Sequence, residues 1–104
     1  AVRQRAVVDH GDTARRDLFI TSVKQDITLA SNRLADLQAR AAQSTSEAKA
    51  QLEMQITGLQ LDLKAAEGKL ADMQRAGANR WKEFESDLNA ATARLRKWLA
   101  STSR

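Results

Sequence analysis

A chain of 104 residues is one domain by length. It has no proline, tyrosine or cysteine, only 4% aromatic residues and no alternating runs of β-branched residues, which excludes a strand-based fold, a disulfide framework and thiolate chemistry. Its net charge of +4 sits at the two ends: Arg3, Arg5, Arg15 and Arg16 against Asp9 and Asp12, then six basic groups against Glu83, Glu85 and Asp87 from residue 80 onward, with a nearly neutral middle.

Residues 1–12 read as a frayed or flexible segment. Val2, Ala6 and Val7 begin a helical stripe, Gly11 breaks it, and Asp12 or Thr13 caps the next helix. That helix is predicted over about 13–43, a rod of about 45 Å. It carries Ile20, Val23, Ile27, Ala30, Leu34, Leu37 and Ala41 at spacings of three and four, with Asp12–Arg16 and Asp36–Arg40 as supporting i,i+4 pairs. Leu18, Phe19 and Ile20 are consecutive, and no single stripe buries all three, so this end is expected to meet more than one neighbour.

Ser44 followed by Glu47 matches a capping box and predicts a turn. A second helix over about 45–75 then repeats the pattern with Leu52, Ile56, Leu59, Leu63, Ala66, Leu70 and Met73. Two such arms are most simply an antiparallel coiled-coil hairpin. At 100° per residue, Ala50, Met54, Gly58, Leu61, Ala65 and Gly68 make a further stripe on the opposite side of this second helix. Gly58 and Gly68 each cost about 1 kcal/mol relative to Ala inside a helix, and small residues at that spacing admit another backbone. Met54, Gly58, Leu61, Ala65 and Gly68 are therefore the expected self-association or partner interface.

The repeat changes phase at Ala76-Gly77-Ala78-Asn79. Two arrangements fit: a stutter within one long helix, or a stop at Gly77 and a third helix over about 80–100 capped by Asn79. Stripes half a turn apart on the second helix favour a hairpin that self-associates over a closed three-helix bundle. Residues 101–104 are read as a tail.

His10 is the only histidine, which excludes a site built from several histidines within one chain, and a lone His beside Gly11 in a frayed segment reads as solvated. The carboxylates alternate with Lys and Arg as on solvated faces. No catalytic, cofactor-binding or metal-binding residue is predicted, and the protein reads as non-enzymatic. The strongest functional stretch is residues 80–99, where Trp81, Phe84, Leu88, Leu95, Trp98 and Leu99 share one face and Lys82, Arg94, Arg96 and Lys97 lie elsewhere. Such a helix fits protein packing, a lipid interface or a partner's groove. A pI near 10 raises nucleic acid as a third reading. It would need the N-terminal and C-terminal arginines to converge, and acidic residues interrupt both clusters. No run approaches the roughly 20 apolar residues of a membrane span. No signal peptide is evident, and a start at Ala1 without Met fits export and processing as well as trimming.

The run from Lys69 to Phe84, a Leu-rich heptad arm, an Ala-Gly break and then Trp81 in an amphipathic helix, resembles small coiled-coil proteins that bacteria export to the periplasm or envelope. The resemblance implies a helical hairpin without catalytic residues and a periplasmic or envelope location, with the cytoplasm as the alternative. Taken together, the expectation is an all-α protein spanning 13–100 as one helical domain. It would assemble as a dimer or tetramer or bind a protein partner, with membrane-surface association through residues 80–99 as the alternative.

Overall fold

The structure, a computed structural model, describes residues 2–77 and 80–102, with the backbone alone for residues 2–12, 101 and 102. The described residues form three α-helices and no strand: α1 (Val2–Gln43), α2 (Ser46–Ala76) and α3 (Lys82–Thr102). At 1.5 Å per residue α1 is about 63 Å long, and the molecule measures 67 × 19 × 16 Å. The length of the protein is thus the length of its first helix.

The helical backbone of α1 is unbroken from Val2, so no helix starts at Asp12 or Thr13. One glycine inside a long helix costs about 1 kcal/mol, which the flanking turns carry. The side chains of residues 1–12, and with them the Asp12–Arg16 pair, lie outside the described residues. Arg16 is 3.6 Å from Asp17, and Asp36 and Arg40 pair at 3.3 Å as their spacing predicts. At the other end α3 extends to Thr102, two residues into the expected tail; residues 103 and 104 lie outside the described residues.

The turn between α1 and α2 differs in detail from a capping box. The Ser44 hydroxyl donates to the Arg40 carbonyl at 2.6 Å, satisfying an end-of-helix acceptor of α1. Thr45, extended at φ −67° and ψ 165°, is the N-cap of α2 without a side-chain hydrogen bond. With the cap one residue later than expected, Glu47 is no longer placed for the reciprocal bond. Its charge still lies in the first turn, where the helix dipole favours it.

The predicted stripes are the core. One cluster joins Ala30 and Leu37 of α1, Leu59, Leu63 and Ala66 of α2, and Ala91 and Leu95 of α3. The other joins Ile20 and Val23, Leu70 and Met73, and Trp81 and Leu88. Along α1 the second cluster is met first; along α2 the order is reversed; along α3 it is again that of α1. Each buried Leu contributes about 1.5–3 kcal/mol of transfer free energy.

Of the two arrangements open at residues 76–79, the chain takes the break. Gly77 has φ 85° and ψ 175°, a region essentially restricted to glycine, and α2 stops there. Asn79 lies outside the described residues. Arg80 donates to Glu83 at 2.9 Å across the first turn of α3, and this exposed pair holds the Glu83 carboxyl below its usual range, first by the hydrogen bond and then by charge. The next helix then lies back against both α1 and α2. Self-association of a bare hairpin is therefore not what fills the apolar face of α3; the chain's own two helices do.

The crowded Leu18-Phe19-Ile20 corner shows how three helices divide an apolar run. Ile20 is buried against α2, and Phe19 turns to Trp81, in the turn just before α3, with ring centroids 5.9 Å apart and tilted by 37°. Leu18 stays 72% exposed. Two ion pairs flank α3, Lys69–Asp87 at 3.6 Å towards α2 and Arg96–Asp26 at 3.5 Å towards α1. At such exposed positions each is worth a few tenths of a kcal/mol and serves register more than stability.

Candidate functional site

Two surfaces carry the residues that the sequence singles out. The first is the face of α3 expected to meet a membrane or a partner. Trp81, Leu88 and Leu95 of that face are buried in the two core clusters, and Phe84, Trp98 and Leu99 are half-buried beside them. The stripe that marks a lipid-binding helix on paper is here a packing stripe, because hydrophobic period alone does not distinguish the two. Thr92, also buried, satisfies its hydroxyl by donating to the Asn89 carbonyl at 3.2 Å. Arg94, Arg96 and Lys97 stand at the Leu95 end of α3, whereas Arg15 and Arg16 precede the Phe19–Trp81 contact at its other end. Arg94, Arg96 and Lys97 do not converge with Arg15 and Arg16, since α3 runs in the same sense as α1, whereas Arg80 and Lys82, on either side of Trp81, lie at the Arg15 and Arg16 end.

The second surface is the outer stripe of α2, and its members separate into two kinds. Gly58 is half-buried under Trp98 of the same chain: a Cβ built on it would lie 2.7 Å from Cζ2 and 3.0 Å from Cη2 of the indole. One turn further along, the Nε1–H of Trp98 donates to Oδ2 of Asp62 at 2.7 Å. The glycine thus serves the close approach of a side chain from α3. Asp62, which the sequence reading passes over, completes that seat; its i,i+4 relation to Gly58 was the available signal. Arg94 and Lys97 border the same open crevice between α2 and α3.

The remaining members face outward. Met54 is 75% exposed and Leu61 64% exposed, and Ala65 and Gly68 are exposed beyond them. Nothing lies within 4 Å of a Cβ built on Gly68. Leu61 of this stripe also borders a shallow groove lined by Ser31 and Leu34 of α1 and by Thr57, Gln60, Lys64 and Glu67 of α2. Among the described residues no group of three or more His, Cys, Asp or Glu is placed to hold a metal ion, and no helix is long and apolar enough to cross a membrane. Comparison with protein-family models, curated proteins and solved structures gives no match.

Proposed function

We propose that this protein is a non-enzymatic interaction module: an antiparallel coiled-coil hairpin of α1 and α2, buttressed by α3, that works by offering the outer face of α2 to another helix. One observation carries the reading. The core is complete without Met54 and Leu61, yet these two large apolar side chains stand exposed on one line of α2, next to small residues. Scattered single exposed apolar residues are ordinary on protein surfaces. Aligned ones beside Ala and Gly form the kind of seam into which a second helix packs.

Association through this face, whether with another copy or with a helical partner, accounts for the residues left over. The membrane-surface reading has weaker support, because α3 would first have to surrender Trp81, Leu88 and Leu95 from the core. Sedimentation equilibrium of the full chain over a wide concentration range tests the proposal, with Met54→Glu/Leu61→Glu as the control. A mass that rises with concentration in the parent and not in the variant supports it. A monomer at every concentration, in a chain that also captures no helical partner through this face, overturns it.

A further inference from the structure

The outer stripe of α2 contains a ladder at intervals of seven residues, Glu47, Met54, Leu61, Gly68 and Arg75. Seven residues are two helical turns, so the five positions stay on one line of the helix with a drift of about 20° per step. Of these, Met54 and Leu61 are strongly exposed, Gly68 has open space above it, and Glu47 and Arg75 are exposed at the two ends. Leu61 is the middle rung. Reversing the ladder leaves Leu61 in place, exchanges Met54 with Gly68 and exchanges Glu47 with Arg75.

We propose that the occupant of this face is a second copy of the same chain, its α2 lying antiparallel across a two-fold axis at Leu61. This rests on the reading that the outer face of α2 is an interaction surface, and it specifies the partner and the direction. In the antiparallel pair the Met54 side chain enters the open space over Gly68 of the other copy, which is knob against hole. Glu47 meets Arg75, opposite charges at both ends of the seam; Arg75 already bonds Asp72 on its own helix, so the incoming carboxylate joins an existing pair. Ala50 and Asp72 also face one another, as do Thr57 and Ala65, with no like charges opposed. A parallel pair sets Glu47 on Glu47 and Arg75 on Arg75, crowds two Met54 side chains, and leaves a void between two glycines. The sequence of the ladder therefore selects the antiparallel direction on both charge and volume.

The face is free to accept the second helix. On the α2 wheel α1 and α3 take adjoining sides, and the Met54–Leu61 line falls about 50° from Gly58, on the side away from Asp62. A helix of about 46 Å and about 10 Å width buries about 900 Å² in total when paired lengthwise. That is below the range of stable specific interfaces, so the dimer is weak and concentration-dependent. The other exposed apolar pair, Leu18 and Leu29, lies eleven residues apart on α1, with the polar Thr21, Lys24, Gln25 and Thr28 close by. It offers no comparable pattern.

The chain has no cysteine, so single substitutions report the geometry directly. Leu61→Cys, Met54→Cys, Gly68→Cys and, as a collision reference, Leu18→Cys are introduced separately into the full chain, all but Gly68 at exposed apolar sites that the core does not need. Each is oxidised mildly. Leu61→Cys is expected to form a disulfide-linked dimer with itself roughly tenfold faster than Leu18→Cys, the gain in effective concentration that pairing supplies. Met54→Cys mixed with Gly68→Cys is expected to give the mixed disulfide in preference to either self-disulfide. Self-linking of Met54→Cys as fast as Leu61→Cys would show a parallel seam and overturn the proposal, as would a Leu61→Cys rate no higher than that of Leu18→Cys. Sedimentation of the parent chain then distinguishes the two levels: association without Leu61 linkage refutes this geometry but leaves self-assembly standing, whereas a monomer removes the dimer altogether.

Discussion

Trp98 covers Gly58 so closely that a methyl group there would stand 2.7 Å from the ring. The indole cannot simply slide away, because its Nε1–H is bonded to Asp62 one turn further along α2. Placing alanine at Gly58 gains about 1 kcal/mol of helix propensity but forces the ring or α3 to move. The same change at Gly68, above open space, meets no obstacle. Gly68→Ala is therefore expected to raise stability by up to about 1 kcal/mol, and Gly58→Ala to lower it by about 1 kcal/mol. Urea unfolding at a low, matched protein concentration compares them. Equal stabilisation by both would mean that the Trp98 seat is not formed in solution.

Removing the carboxylate tests the other half of that seat. Hydrogen bonds to charged groups are worth about 1.5–3 kcal/mol when buried, and partial exposure of this one brings the expected cost of Asp62→Ala down to about 1 kcal/mol. The Trp98 emission should shift to longer wavelength as the indole loses its partner, best read in a Trp81→Phe background. An unchanged spectrum would refute the bond.

Gly77 is a hinge of a different sort, required for its backbone and not for space. Its combination of positive φ and extended ψ costs other residues about 1–3 kcal/mol, and nothing lies within 4 Å of its Cβ position. Gly77→Ala should lose that amount in chemical denaturation, and the D-alanine equivalent, made by peptide ligation, should recover it. Equal loss from both enantiomers would place the cost elsewhere.

Core and outer-face apolar residues should behave oppositely on truncation. Leu95→Ala empties a fully buried site shared by all three helices and should cost about 2–5 kcal/mol. Met54→Ala and Leu61→Ala should change monomer stability by no more than about 0.5 kcal/mol. Thermal melts at low concentration separate the two classes; a loss at Leu61 as large as at Leu95 would mean that Leu61 is already covered within the chain.

The Arg80–Glu83 pair gives one pH signature. Because the folded pKa of Glu83 is lowered by Arg80, the contribution of the pair is complete above the ordinary carboxylate pKa and is lost as pH falls through the lowered folded value. Carbon-detected NMR titration should find the Glu83 midpoint below the usual range, returning towards it in Arg80→Ala. A midpoint unmoved by that substitution would show that the pair does not form.

The heptad arms were legible because the signal is the cause. Spacings of three and four put Val23, Ala30 and Leu37 on one line, and Leu59, Leu63, Ala66 and Leu70 on another, and burying those lines is what makes the helices pack. Gly77 was legible as a candidate stop, but not as the actual one. The same phase change fits a stutter, and only the positive φ decides. The capping box at Ser44 misled because a hydroxyl near a helix junction can serve either helix, and here α1 takes it.

An all-helical chain, the residues of the two long stripes and the absence of thiolate and disulfide chemistry follow from local period or from which residue types are present. The tertiary structure alone decided where α3 goes and therefore what its tryptophans do. An amphipathic helix carries the same apolar face whether it meets lipid, a partner or its own chain. Here the break at Gly77 lets it lie back on α1 and α2, so that Trp81 and Leu95 become core and Gly58 becomes the seat of Trp98. The same folding leaves Met54 and Leu61 outside, a distinction that spacing could not make because Gly58 and Leu61 belong to one stripe and only a third helix separates them.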